Sequence, residues 1–225
     1  MYKFSIKIIF GGLILTGLVG PMGDLFPATL TGQVARPSAL DAGPKLVDRY
    51  RGRTSAIDHN EPVGPGCDPG KCAVIFLTGD SLPPVLPLTG RPSINQKDMM
   101  FQPSVLAVSV GTTVEFPNLD PFFHNVFSYS ATKKFDLGRY AQGKSKSIKF
   151  DRPGLVKIFC EIHYPMRAYL HVLNTPYFCV SDDDGDFVIS NIKPGVYTLH
   201  VWQEYQTELQ RPLTVTEDSL YVIIK

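Results

Sequence analysis

Proline and glycine punctuate this chain so densely that long helices have no room. Nineteen of each are spread over 225 residues. Each proline removes a backbone donor, and each glycine favours a turn over a regular element. No stretch after residue 30 repeats its apolar residues at helical spacing. Fourteen Phe and ten Tyr point instead to short strands between turns, so the expected fold class is all-β. Hydrophobic residues make up 44% of the chain, enough for a true core, and the length suits one large β domain or two small ones. The net charge of +1 offers no electrostatic argument for nucleic acid or an anionic membrane as partner.

The first residues have the look of a targeting segment. Lys3 and Lys7 flank a short basic region, and Ile8 to Gly20 then runs without a charge. That run is short for a bilayer span and fits a signal-peptide core, although no clear cleavage site follows. Residues 1–27 are therefore expected to be a signal peptide or an uncleaved N-terminal anchor. Either places the body of the protein outside the cytoplasm, periplasmic or extracellular, with membrane contact only if the segment is kept. In that compartment thiols tend to pair. Cys67 and Cys72 enclose a turn-like Asp-Pro-Gly-Lys, and a small local disulfide is the preferred reading there over a metal site. Cys160 and Cys179 remain for other work.

Further along, residues 28–37 and 72–78 read as strands, separated by a long Pro-, Gly- and Arg-rich loop over 38–71. Leu106, Val108 and Val110 alternate with smaller or polar residues, Gly111-Thr112 turns, and Val114 and Phe116 alternate again, which predicts a hairpin. Strands are expected at 145–150, 155–160 and 168–173. Asp184-Gly185 predicts a second hairpin between Phe178–Val180 and Phe187–Ile189, and 196–202, 212–216 and 220–224 complete the set.

Chemistry concentrates in Cys160-Glu-Ile-His163-Tyr-Pro-Met166, where a thiolate, an imidazole and a thioether fall within seven residues at the end of a strand. A soft thiolate with imidazoles and a weak axial thioether suits copper cycling between Cu(I) and Cu(II). Such a site needs a second imidazole from elsewhere, and His124, in an aromatic Pro-Phe-Phe-His setting, is the best candidate.

Cys-x2-His-x2-Met at a strand end, with the upstream run Val110-Gly-Thr-Thr-Val-Glu-Phe-Pro-Asn118, Asp120 and His124-Asn125-Val126, resembles the cupredoxins, of plastocyanin and amicyanin type. The short ligand loop is of the amicyanin kind. The resemblance covers about residues 101–174. It implies a Greek-key sandwich holding one copper ion, with His124, Cys160 and His163 as equatorial ligands and Met166 axial. It also implies that Asn125 hydrogen-bonds the ligand loop and steadies the thiolate. The tail, Val180-Ser-Asp-Asp-Asp-Gly185-Asp-Phe187 and then Ile192-Lys-Pro-Gly195-Val-Tyr197, resembles the carboxypeptidase regulatory-like, transthyretin-type sandwich. The combination is similar to bacterial methylamine-utilisation proteins. The expected division is 101–174 for the copper domain and 175–225 for the second sandwich, with the early strands of 28–100 belonging to the latter.

Blander roles suit the remaining candidates. A Cys160–Cys179 disulfide would abolish the site, and Cys179 reads as a small buried hydrophobe. His171 and His200 read as structural or surface residues, and His59 carries no signal. Asp182 to Asp186 lacks the spacing and closing Glu of a calcium loop. Lys144 and Lys146 suit a solvated face. Copper oxidases and nitrite reductases of this fold use His-x-His pairs, and the sequence has none. The expected function is therefore a mononuclear type 1 copper protein that carries single electrons and is not an enzyme. The resemblance implies a redox partner such as a c-type cytochrome or a dehydrogenase. A copper-delivery protein and a structural surface module are the competing classes.

Overall fold

The computed structural model describes residues 4–8, 27–35, 70–80, 82–216 and 220–224. The expected Cys67, His59 and most of the 1–27 and 38–71 segments lie outside these residues. Among the described residues there are seventeen strands and no helix. In chain order they are β1 (Phe4–Ile8), β2 (Ala28–Val34), β3 (Ala73–Thr78), β4 (Asn95–Lys97), β5 (Met100–Gln102) and β6 (Val105–Ser109). Next come β7 (Thr113–Pro117), β8 (His124–Ser130), β9 (Lys133–Tyr140), β10 (Ser145–Lys149), β11 (Gly154–Phe159) and β12 (Arg167–Leu173). The last are β13 (Phe178–Val180), β14 (Asp186–Ile192), β15 (Gly195–Gln203), β16 (Leu209–Val215) and β17 (Leu220–Ile224). The all-β class expected from the sequence is what forms.

The strands make two sandwiches. Sheets ordered β1-β17-β2-β14 and β13-β3-β15-β16 enclose one core, with Leu30, Ile75, Leu77, Ile192, Leu199 and Leu213 among its buried residues. Strand alternation explains this: β2 buries Ala28, Leu30 and Val34, and β15 buries Tyr197, Leu199 and Val201. The five-stranded sheet β6-β12-β11-β8-β9 and the pair β10-β7 enclose another core around Phe116, Phe150, Ile158 and Leu170. Ile94 and Phe101, beside and within the small β4-β5 hairpin, pack into that core as well. Cys72 is disulfide-bonded, and Cys160 and Cys179 are free thiols.

Two expected hairpins are corrected. The strands around Gly111-Thr112 do not pair: β6 runs parallel to β12, whereas β7 pairs with β10 in the facing layer. Similarly, β13 pairs with β3 and β14 with β2. Both turns are arches that carry the chain from one layer of a sandwich to the other. A period-two pattern buries one face equally well from either layer, so alternation alone does not say which sheet a strand joins. Gly185 shows why one arch needs its residue. Its φ is +85°, and a Cβ there would stand 2.2 Å from the Val34 carbonyl oxygen.

The two sandwiches meet on β12. Its Ala168, Leu170 and Val172 enter the second core, whereas Tyr169 and Leu173 join Val74, Val105 and Ala107 in a third cluster, with Trp202 packed against it. Covered on both faces, β12 is apolar almost throughout. His171 lies in this seam with its ring 4.4 Å from that of Trp202 and its Nε2 unpartnered.

Burial pushes the His171 imidazole down to about 4 from an ordinary 6.5. The folded protein keeps it neutral, and the unfolded chain takes up its proton below about pH 6.5. Stability is therefore expected to be full above that pH and to fall as pH drops from about 6.5 to 4. At about 1.4 kcal/mol per unit the loss reaches ~3 kcal/mol. Denaturant unfolding across that range should show a shallower slope for His171→Phe than for the natural protein.

Candidate metal centre

Strand ends deliver the three donor side chains. His124 is the first residue of β8, and Cys160 follows β11 directly. β11 and β12 are antiparallel neighbours with Phe159 opposite Arg167, so residues 160–166 form the loop that closes their hairpin. The loop is tied to itself: the Met166 amide donates to the His163 carbonyl at 3.0 Å, and the Cys160 amide to the Met166 carbonyl at 3.3 Å. Pro165 fixes its own φ and restricts Tyr164 before it.

His124 Nδ1 and His163 Nδ1 stand 3.0 Å apart, and Cys160 Sγ lies 3.9 Å from each. A point about 2.05 Å from both nitrogens, in their plane on the sulfur side, lies about 2.2 Å from Sγ. These are close to the lengths of imidazole and thiolate bonds to a borderline-soft ion. Among the described residues this is the one cluster of three His, Cys, Asp or Glu side chains with donors in reach of a single ion. His124 is fully buried and Cys160 is 5% exposed. Met166 is buried in the same core cluster as Cys160. Burial, reinforced by the neighbouring His124, holds His163 below the usual imidazole range, so it is a neutral donor at pH 7.

One residue that the sequence reading named only in passing is central here. Asp120 is buried, and its Oδ2 lies 2.8 Å from His124 Nε2. The carboxylate can only accept, so Nε2 carries the proton and Nδ1 presents its lone pair to the triangle. The same carboxylate accepts the Asp98 and Met99 amides at 2.7 and 3.0 Å. Asn118 shapes this turn, accepting the Asp120 amide at 3.0 Å and donating to the Phe122 and Tyr140 carbonyls at 2.8 and 3.0 Å. A carboxylate four residues before a His was the available signal in the sequence. His124 Nδ1, His163 Nδ1 and Cys160 Sγ converge on one point, and this set of two imidazoles and a thiol fits a copper ion.

The aromatic setting read around His124 is supplied by Phe122. Its ring meets those of His124 and His163 edge-on, with centroids at 5.1 and 5.5 Å, and shields the triangle from water. Asn125 is buried at the start of β8, but its Oδ1 has no hydrogen-bond partner. His200 lies away from the site, in the other sandwich, stacked on Phe76 and bonded to Thr78 and Glu208.

Residues 89–173 match the plastocyanin/azurin family of copper-binding proteins. No curated protein sequence matches the chain. Among solved structures, it is similar to the copper-containing nitrite reductase from Thermus scotoductus SA-01, at 28% identity and a TM-score of 0.36, over 37% of this chain. The chain spans only 22% of that enzyme's length. It is also similar to a purple cupredoxin from Nitrosopumilus maritimus, at 23% identity and a TM-score of 0.33, over 36% of this chain and 99% of that one. A reduced amicyanin variant is 20% identical with a TM-score of 0.36, over 44% of this chain and 98% of that one.

Replacing Asp120 with Asn keeps the size of the side chain but removes the anion behind His124. Copper affinity is expected to fall about 10- to 100-fold, the usual loss when such a partner is changed. Competition titration with a chelator of known affinity measures it.

Proposed function

We propose that the cupredoxin domain of residues 89–173, of the plastocyanin/azurin family of copper-binding proteins, is an exported one-electron carrier rather than an enzyme. Its single copper ion would be held by His124, Cys160, His163 and, axially, Met166. The observation that carries this reading is the triangle of two Nδ1 atoms and one thiol sulfur. Copper bound there supplies one-electron chemistry between Cu(I) and Cu(II).

The chain's own residues suit that task by staying still. The loop hydrogen bonds and Pro165 hold Cys160, His163 and Met166 in one arrangement, and Asp120 holds the His124 ring. Little has to move when charge changes, which favours fast transfer. Burial of His124 and Cys160 and the Phe122 ring keep water from the thiolate. Asn125, buried beside His124, would steady the ligand loop through its side-chain amide. His163 lies nearest the surface of the three donors, where Phe123, Ile162 and Tyr164 are 57%, 39% and 83% exposed. That apolar rim is where a redox protein such as a c-type cytochrome or a dehydrogenase would meet the domain. The delivery reading fits less well, because the thiol is enclosed rather than open to an incoming chaperone.

Copper-loaded protein is expected to contain one copper per chain and to show an intense thiolate-to-copper absorption band. Cys160→Ala should lose the band; an unchanged spectrum would sink the assignment. Met166→Gln should keep copper while shifting both colour and midpoint potential, because an amide oxygen serves as a weak axial ligand. Loss of copper in that variant would make Met166 a structural ligand instead.

A further inference from the structure

The ligand loop is gripped from outside its own domain. Arg167 directly follows Met166, and its Nε lies 3.2 Å from Glu204 Oε1, a carboxylate of the other sandwich. Glu204 has a side chain only 2% exposed and also accepts the Tyr169 hydroxyl. Its neighbour Tyr205 places its ring 5.7 Å from the Arg167 guanidinium. Tyr205 has φ +64°, an uncommon conformation for a bulky residue. The turn closes with the Gln206 amide on the Gln203 carbonyl at 3.2 Å.

Two costs therefore meet in one four-residue turn. Burying a carboxylate is expensive unless it is paired and hydrogen-bonded. Holding a non-glycine residue in the left-handed region costs on the order of 1–3 kcal/mol and persists only where the surroundings impose it. The groups that Glu204 meets, Arg167 and Tyr169, both belong to β12, and the Tyr205 ring covers Arg167. Arg167 also stands opposite Phe159, the residue before Cys160. The two stems of the ligand loop thus lie at the point where the second sandwich touches the first. A buried ion pair contributes little net stability, but losing one partner leaves the other's charge uncompensated.

We propose that the turn of residues 203–206 is a clamp on the ligand loop, with Glu204 as a positioning residue that acts through Arg167 on Met166. The second sandwich then helps to set the copper site rather than merely accompanying it. This rests on the copper reading only for its effect on the metal; the mechanical coupling belongs to the copper-free chain.

The test is amide hydrogen exchange of the full copper-free protein, read at the Met166 amide, with the visible spectrum of the copper-loaded protein as a second readout. Glu204→Gln and Arg167→Gln remove the ion pair from opposite sides. Leu213→Ala is the control, since it weakens the second sandwich's core without touching the turn. Both ion-pair variants are expected to speed Met166 exchange about tenfold or more, the scale of one lost charge-assisted hydrogen bond, and to shift the copper absorption band. The control should lower global stability and leave the band in place. Should either ion-pair variant fail to fold, the other decides alone. Met166 exchange unchanged in a folded ion-pair variant, or raised equally in the control, overturns the clamp. A natural protein that bound no copper would sink the functional reading and still leave the exchange result to judge the clamp.

Discussion

β12 has no face turned to water, and much else follows from that. One side of the strand, through Ala168, Leu170 and Val172, completes the core beneath the metal centre. The other side carries Tyr169, His171 and Leu173 into the seam with the second sandwich. A one-residue slip would turn Arg167, Tyr169 and His171 into the core that Ala168, Leu170 and Val172 now fill, and so bury their polar groups. The register of β12 against β11 sets where residues 160–166 begin and end, and hence where Cys160 and His163 stand. Packing far from the metal thus determines the geometry at the metal.

The centre itself spends part of the stability that the two cores provide. Asp120 and His124 are both buried, and a buried carboxylate is costly unless it is paired and hydrogen-bonded. Together they satisfy one another, and the Asp98 and Met99 amides complete the carboxylate's set of partners. Asp98 and Met99 both adopt positive φ at the tip of the β4-β5 hairpin, so the same anion stabilises a strained turn and aims an imidazole. Asp120 thereby ties the β4-β5 turn to His124.

The legible and illegible parts of the sequence divide along physical lines. Local spacing carries the ligand loop, because Cys160, His163 and Met166 are close in sequence and the strand before them ends in a readable way. Strand identity was legible for the same reason, since burying one face leaves a period-two trace. Partnership was not. The arches at Gly111-Thr112 and Asp184-Gly185 read as hairpins because a turn between two amphipathic strands looks alike whether they join one sheet or two. The β8-β9 hairpin was missed where Lys134 and Arg139, at exposed positions, and the half-buried Lys133 interrupt the apolar pattern. Glu204 carries no signal in the local sequence, and it is buried where the two sandwiches meet.

By itself, then, the sequence determined an all-β chain and a soft donor set suited to copper, because both depend on residue type and short spacing. The tertiary structure alone decided that His124, already the best candidate in the sequence, faces Cys160 and His163 with Nδ1, that Asp120 stands behind it, and that Glu204 reaches across to Arg167. Those contacts join residues 36 or more positions apart, or depend on a side chain losing its water. Neither long-range approach nor desolvation leaves a mark in local pattern. Both arise only when the two sandwiches close on β12.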